Sequence, residues 1–113
     1  MLLRYQSAQQ TITSGGTITL AHGLGVAPMI AEAFLVCTTA EFGYSIGDVI
    51  VAMRQASVAA LAAGYNCALL VDNTNIEVMY GSNAGVFTHI RKDTKAAVTL
   101  NNSNWRLVVK AMA

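Results

Sequence analysis

Charge is what this sequence has least of. Asp, Glu, Lys and Arg make up 12% of its 113 residues, about half the ~25% usual in soluble domains. The cations Arg4, Arg54, Arg91, Lys92, Lys95, Arg106 and Lys110 are scattered and form no basic stripe, so no nucleic-acid partner is expected. His22 and His89 are the only histidines, and the six carboxylates are spread along the chain; no metal-binding spacing results, and no cofactor or metal is expected. Proline occurs once, at Pro28. Cys37 and Cys67 lie 30 positions apart with no CxxC pair, so they read as free, buried thiols, with a disulfide as the alternative. The longest strongly apolar stretch, Gln55 to Val71, is interrupted by Ser57, Gly64 and Asn66. It falls short of the ~20 residues that cross a bilayer, so no membrane span is expected. Met1 to Gln6 carries no basic segment followed by an apolar run, which argues against Sec export.

What the sequence does have is 54% hydrophobic residues, much of it Ala and Val, beside Thr, Ser, Asn, Gln and Gly. That mixture suits packed strands with uncharged turns. The length matches one domain over 1–113. With so few charges to cover the surface, part of the apolar area is expected to be buried between subunits, as in a homo-oligomer.

Thr-Ile-Thr alternation on both sides of Ser14-Gly15-Gly16 predicts a hairpin joining strands around Ile12 and Ile18. Ala21 to Pro28, with Gly23 and Gly25, predicts a shaped loop ending in an extended segment. From Met29 to Thr38 both faces are apolar. Met29, Ala31, Ala33, Leu35 and Cys37 share one face, and Ile30, Phe34 and Val36 share the other, broken only by Glu32. Such a strand is covered on both sides, by a core and by a loop or neighbouring subunit. Glu41-Phe42-Gly43-Tyr44 reads as a turn, and Ile46 to Met53 as a strand. Ser57 to Ala63 is either a short helix stopped by Gly64 or a loop. Short strands then follow at Asn66 to Val71, Ile76 to Tyr80, Val86 to Lys92, Ala96 to Leu100 and Trp105 to Met112, separated by turn chemistry. This spacing predicts an all-β, antiparallel β-sandwich or jelly-roll-like domain. In the last strand Trp105, Leu107, Val109 and Ala111 form the core face.

Catalytic chemistry is hard to assemble from these residues. His22-Gly23-Leu24-Gly25 lacks the Gly-x-Ser-x-Gly elbow of a hydrolase, and its lone Gly-x-Gly lacks a third glycine and a following helix. The structural alternative has the glycines at positive φ and His22 bonded to a loop carbonyl. Asp72-Asn73-Thr74-Asn75 lacks the glycine and distal glutamate of a calcium loop and reads as an Asx turn. No enzyme is expected. His89, Arg91 and Lys92 form either a polar patch for an anionic or sugar ligand, with Tyr80 or Trp105 as a stacking surface, or a charged edge strand.

Thr11 to Pro28 resembles the opening of small tail-fibre, spike or head-decoration modules of tailed bacteriophages. Gly43-Tyr44-Ser45-Ile46-Gly47-Asp48 is similar to a second recurring segment of these modules, and Asn104-Trp105-Arg106-Leu107 with Ala111-Met112-Ala113 is similar to their usual ending. The resemblance spans nearly the whole chain. It implies a β-sandwich, often trimeric, on a virion surface, made in the host bacterial cytoplasm and in contact with other virion proteins and in some cases with the host. The Trp-bearing end also resembles the H-type lectin fold, whose sugar-binding residues do not map here. The chain starts only a few residues before its first strand, which favours a decoration, spike-base or adaptor role, with residues 1–10 as an extended attachment arm. The expected function is a non-enzymatic structural protein of a phage virion. The alternative is an adhesin that grips a host-surface glycan or receptor through Tyr44, Tyr65, His89 and Arg91.

Overall fold

The computed structural model describes residues 3–52 and 62–113, and it is all-β with antiparallel pairing among the described residues. The strands are β1 (Arg4–Gln6), β2 (Gln10–Thr11), β3 (Thr17–Ala21), β4 (Ile30–Cys37), β5 (Val49–Val51), β6 (Cys67–Val71), β7 (Asn75–Tyr80), β8 (Thr88–Ile90), β9 (Ala97–Thr99) and β10 (Trp105–Met112). A five-stranded sheet runs β1-β10-β4-β5, with β2 beside β1 on the same edge of β10. A three-stranded sheet runs β3-β7-β6, and β8-β9 form a separate hairpin. Both larger sheets contribute to one core, an arrangement that fits the expected β-sandwich.

β10 anchors the five-stranded sheet because its alternation is nearly perfect. Trp105, Leu107, Val109 and Ala111 turn inward and are buried, as the sequence predicts. They stand opposite Cys37, Leu35, Ala33 and Ala31 of β4, with the small Cys37 beside Trp105, the largest of them. Ile76, Val78 and Tyr80 of β7 close the core from the facing sheet. Val86, Phe87 and Leu100 fill one side, and Tyr80 meets Phe87 edge-on at 6.4 Å.

The hairpin expected around Ser14-Gly15-Gly16 does not form. β2 pairs with β10 in one sheet, and β3 pairs with β7 in the other. The turn, closed by Gly16 N–H donating to Thr13 O at 3.0 Å, carries the chain from sheet to sheet. Ile12 is buried in the core at the crossing. Alternation marks a half-buried strand but does not name its partner; here the partners are the longer, more apolar β7 and β10.

Within the segment 1–10 expected as an extended attachment arm, Arg4–Gln6 and Gln10 pair along the edge of β10, and Thr11 continues that pairing. Between β1 and β2 the ladder is interrupted at Ser7, whose buried hydroxyl takes over as acceptor. Val109 N–H donates to Ser7 Oγ at 2.9 Å, and Ser7 N–H donates to Val109 O at 2.9 Å. The short helix considered for 57–63 lies outside the described residues, apart from Ala62 and Ala63. β5 covers only Val49–Val51 and β8 only Thr88–Ile90, shorter than their alternation suggested.

Candidate functional site

The turn Glu41–Tyr44 sits where β4 hands over to β5. Phe42 and Gly43 both have positive φ, 52° and 85°, and Tyr44 N–H donates to Glu41 O at 2.8 Å. Two consecutive residues at positive φ make the tight mirror-image turn that favours Asn-Gly, so a phenylalanine here is strained. Tertiary contacts hold it. Phe42 O accepts from Lys92 N–H at 3.1 Å, and the Arg91 guanidinium lies 5.2 Å from the Phe42 ring centroid.

This geometry aims Glu41 at the start of β10. Its Oε1 accepts the Trp105 indole N–H at 2.7 Å and the Asn101 backbone N–H at 3.0 Å. Its Oε2 accepts the side-chain amides of Asn101 at 2.6 Å and Asn104 at 2.9 Å. Burial pushes the carboxyl up, but these hydrogen bonds outweigh it and hold Glu41 below its ordinary range. All four principal lone-pair directions are used, so the group is a structural clasp with no free oxygen for a metal or a proton-transfer role.

Of the residues predicted to touch a ligand, Tyr44, His89 and Arg91 come together beside this clasp. Tyr44 packs edge-on against Trp105 at 5.2 Å and donates its hydroxyl to Ile90 O at 2.5 Å. His89 accepts the Ile90 N–H at Nδ1, 3.0 Å away, so the ring proton sits on Nε2, which donates to Val51 O at 3.0 Å. Arg91 forms a two-pronged pair with Asp93 at 2.8 and 2.9 Å, which draws Asp93 down to about 2. Lys92 reaches Asp48 at 3.4 Å. Tyr65 is half-buried and lies two residues before β6. The stacking surface considered for a sugar is not available: Trp105 is 0% and Tyr80 6% exposed. Both rings are part of the core.

The remaining chemical candidates also serve the fold. Gly23 and Gly25 have φ of 66° and 80°. His22, buried, accepts Leu24 N–H at Nδ1 and donates from Nε2 to Asp72 O at 2.8 Å, as the structural alternative predicted. Asp72 Oδ1 accepts from Thr74 and Asn75 N–H in an Asx turn. Both cysteines are free. Burial pushes the Cys67 thiol up to about 11 and raises Cys37 as well, which keeps each protonated and unreactive near neutral pH. Among the described residues no group of three or more His, Cys, Asp or Glu gathers as a metal site, and no helix is long and apolar enough to cross a membrane.

What is left is a surface. On the outer face of the five-stranded sheet, cross-strand rows place Ile30 by Met112, Glu32 by Lys110, Val108 by Phe34 by Val51, and Arg106 by Val36 by Val49. Ile30 is 53% and Val49 55% exposed, and Val51 is exposed as well. Lys110 extends over the Phe34 ring at 4.8 Å, its stem covering part of the apolar row. An open groove of about 760 Å³ runs along this face, lined by Arg4, Gln6, Ile30, Phe34, Lys110 and Met112 among others. Sequence reasoning found the apolar outer face of β4 but not its continuation across β5 and β10, because neighbours across strands are set by register. It also missed the Glu41 clasp, for which the only signal is a carboxylate beside a turn and an Asn-rich segment before the lone Trp. Comparison with protein-family models, with curated proteins and with solved structures gave no match.

Proposed function

We propose that this chain is a non-enzymatic structural module that assembles with copies of itself through the outer face of the five-stranded sheet, as a decoration, spike or fibre-associated component of a tailed-phage particle. The observation that carries the assembly is the continuous apolar face formed by Ile30, Phe34, Val36, Val49, Val51 and Met112, with Ile30, Val49 and Val51 exposed. Monomeric proteins rarely leave contiguous apolar patches larger than a few hundred Å² open to water. The phage setting rests on the sequence resemblance, which also favours a trimer. The glycan-binding alternative has less support, because Tyr44, His89 and Arg91 already hydrogen-bond to partners within the chain and the aromatic rings considered for stacking are buried.

Light scattering coupled to size exclusion tests the assembly. The wild type is expected to run as a stable multimer at micromolar concentration. Ile30→Lys/Val49→Lys, which alters exposed positions on this face, is expected to lower the mass while keeping a cooperative melt. A monomeric wild type overturns the reading. Incorporation into particles, followed by mass spectrometry of purified virions from the source phage, tests the setting.

A further inference from the structure

Carboxylates at one end of the fold hold a strained turn in place. Phe42 and Gly43, both at positive φ, form the centre of Glu41–Tyr44, and phenylalanine is a costly residue in that conformation. The turn sits close on the segment after β8: a Cβ on Gly43 would lie 2.9 Å from Asp93 N, and Phe42 O accepts the Lys92 N–H. Further along, Asp48 Oδ2 accepts the Ser45 N–H at 2.9 Å and lies 3.4 Å from Lys92 Nζ. Glu41 reaches the other way, to Asn101, Asn104 and Trp105, and Asn104 O accepts the Thr38 N–H at 2.8 Å and the Thr39 N–H at 3.2 Å. One carboxylate thus joins the end of β4, its own turn and the start of β10.

This joint is sensitive to acid by construction. The donors to Glu41 are uncharged N–H groups, and they occupy both of its oxygens. A proton arriving on either oxygen displaces one of them and sets an O–H donor against N–H donors. The charged and titratable groups around Glu41 are Cys37 at the end of β4, Tyr44 and Asp48 beyond the turn, Arg91, Lys92 and Asp93 after β8, and Arg106 at the start of β10. Burial pushes the Cys37 thiol and the Tyr44 hydroxyl up, so both stay neutral in acid. Arg91 holds Asp93 at about 2, and Arg106 donates to Ser103 O and Trp105 O. The Ser45 N–H holds Asp48 below its ordinary value, so proton uptake there acts in the same direction as at Glu41. None of residues 41–48 or 101–104 is buried, whereas β4, β7 and β10 carry the core.

We propose that the segment Glu41–Asp48 is an acid-released latch: protonation of Glu41 opens this segment and Asn101–Asn104 locally, letting Phe42 leave its strained conformation while the two packed sheets stay folded. Burial pushes the Glu41 carboxyl up and its hydrogen bonds pull it further down, so release falls below its ordinary value of 4.5. The latch stands independently of the assembly described under Proposed function.

Hydrogen exchange followed by NMR from pH 6 to pH 3, with each rate divided by the intrinsic rate at that pH, tests it. Protection of the Tyr44, Asn101 and Asn104 amides is expected to fall at least about ten-fold, while the Ser7, Tyr80 and Val109 amides stay within about two-fold. The Trp105 indole N–H resonance is expected to move in step with the Glu41 carboxyl carbon. In Glu41→Gln the first three amides are expected to be weakly protected at pH 6 and to lose nothing more in acid, whereas Asp48→Asn is expected to keep the acid response. An equal loss of protection at all six wild-type amides overturns the proposal, and so does the wild-type acid response persisting in Glu41→Gln. If Glu41→Gln does not fold, the wild-type comparison of the two sets of amides decides.

Discussion

The Trp105 indole N–H donates to Glu41 Oε1 at 2.7 Å, while Asn101 and Asn104 occupy the other carboxylate oxygen, so the largest side chain of the core is tied to the turn that leads into β5. Trp105 is fully buried, and its one polar atom has Glu41 as its acceptor. A carboxylate that looks like ordinary turn chemistry in the sequence is thus part of the packing.

Glu41→Gln is expected to destabilise the protein and to flatten its acid limb. Glu41 in the folded state titrates below its ordinary value of 4.5. Its contribution is therefore fully present above pH 4.5 and is lost as the pH falls through the lower folded value. Urea melts of wild type and Glu41→Gln from pH 7 to pH 3 should converge toward the acid end. Parallel curves across that range would remove Glu41 from the acid response. Glu41→Ala, which leaves the buried indole N–H without its acceptor, should cost about 1–3 kcal/mol at pH 7.

Ser7→Ala removes the acceptor of the buried Val109 N–H at the point where the β1/β2 edge is interrupted. The expected loss is about 1–3 kcal/mol, the cost of an unsatisfied buried donor. A calorimetric melt should fall by several degrees. An unchanged melting temperature would mean that the edge re-pairs without the hydroxyl.

Gly81 and Gly23 should respond differently to alanine. A Cβ on Gly81 would lie 2.0 Å from Gly64 O and 2.9 Å from Asn66 O, both backbone atoms. That clash is expected to cost at least ~3 kcal/mol or to prevent folding. At Gly23, with φ +66° and open space around the position, alanine is expected to cost only ~1–2 kcal/mol of backbone strain. Chemical denaturation of the two variants checks the order.

Neither thiol is expected to react readily in the folded protein. With Cys67 at about 11, roughly one molecule in a thousand carries a thiolate at pH 8. Labelling with a disulfide reagent should be slow in the native state and complete in denaturant. Fast native labelling at Cys67 would overturn the burial argument.

Local chemistry determined much of this protein from sequence alone. The all-β class, the inward face of Trp105–Met112, the two-faced apolar character of Ile30–Cys37 and the Asx turn at Asp72 all follow from side-chain period and turn residues, which act over a few positions. What the tertiary structure decided is partnership. The strands flanking Ser14–Gly16 look like a hairpin but pair in different sheets, because alternation fixes which face is buried and not which neighbour buries it. The same limit hid the outer apolar face, assembled from residues far apart in the chain by strand register, and the Glu41 clasp, which joins residues about sixty positions apart through a turn that only long-range contacts hold in shape.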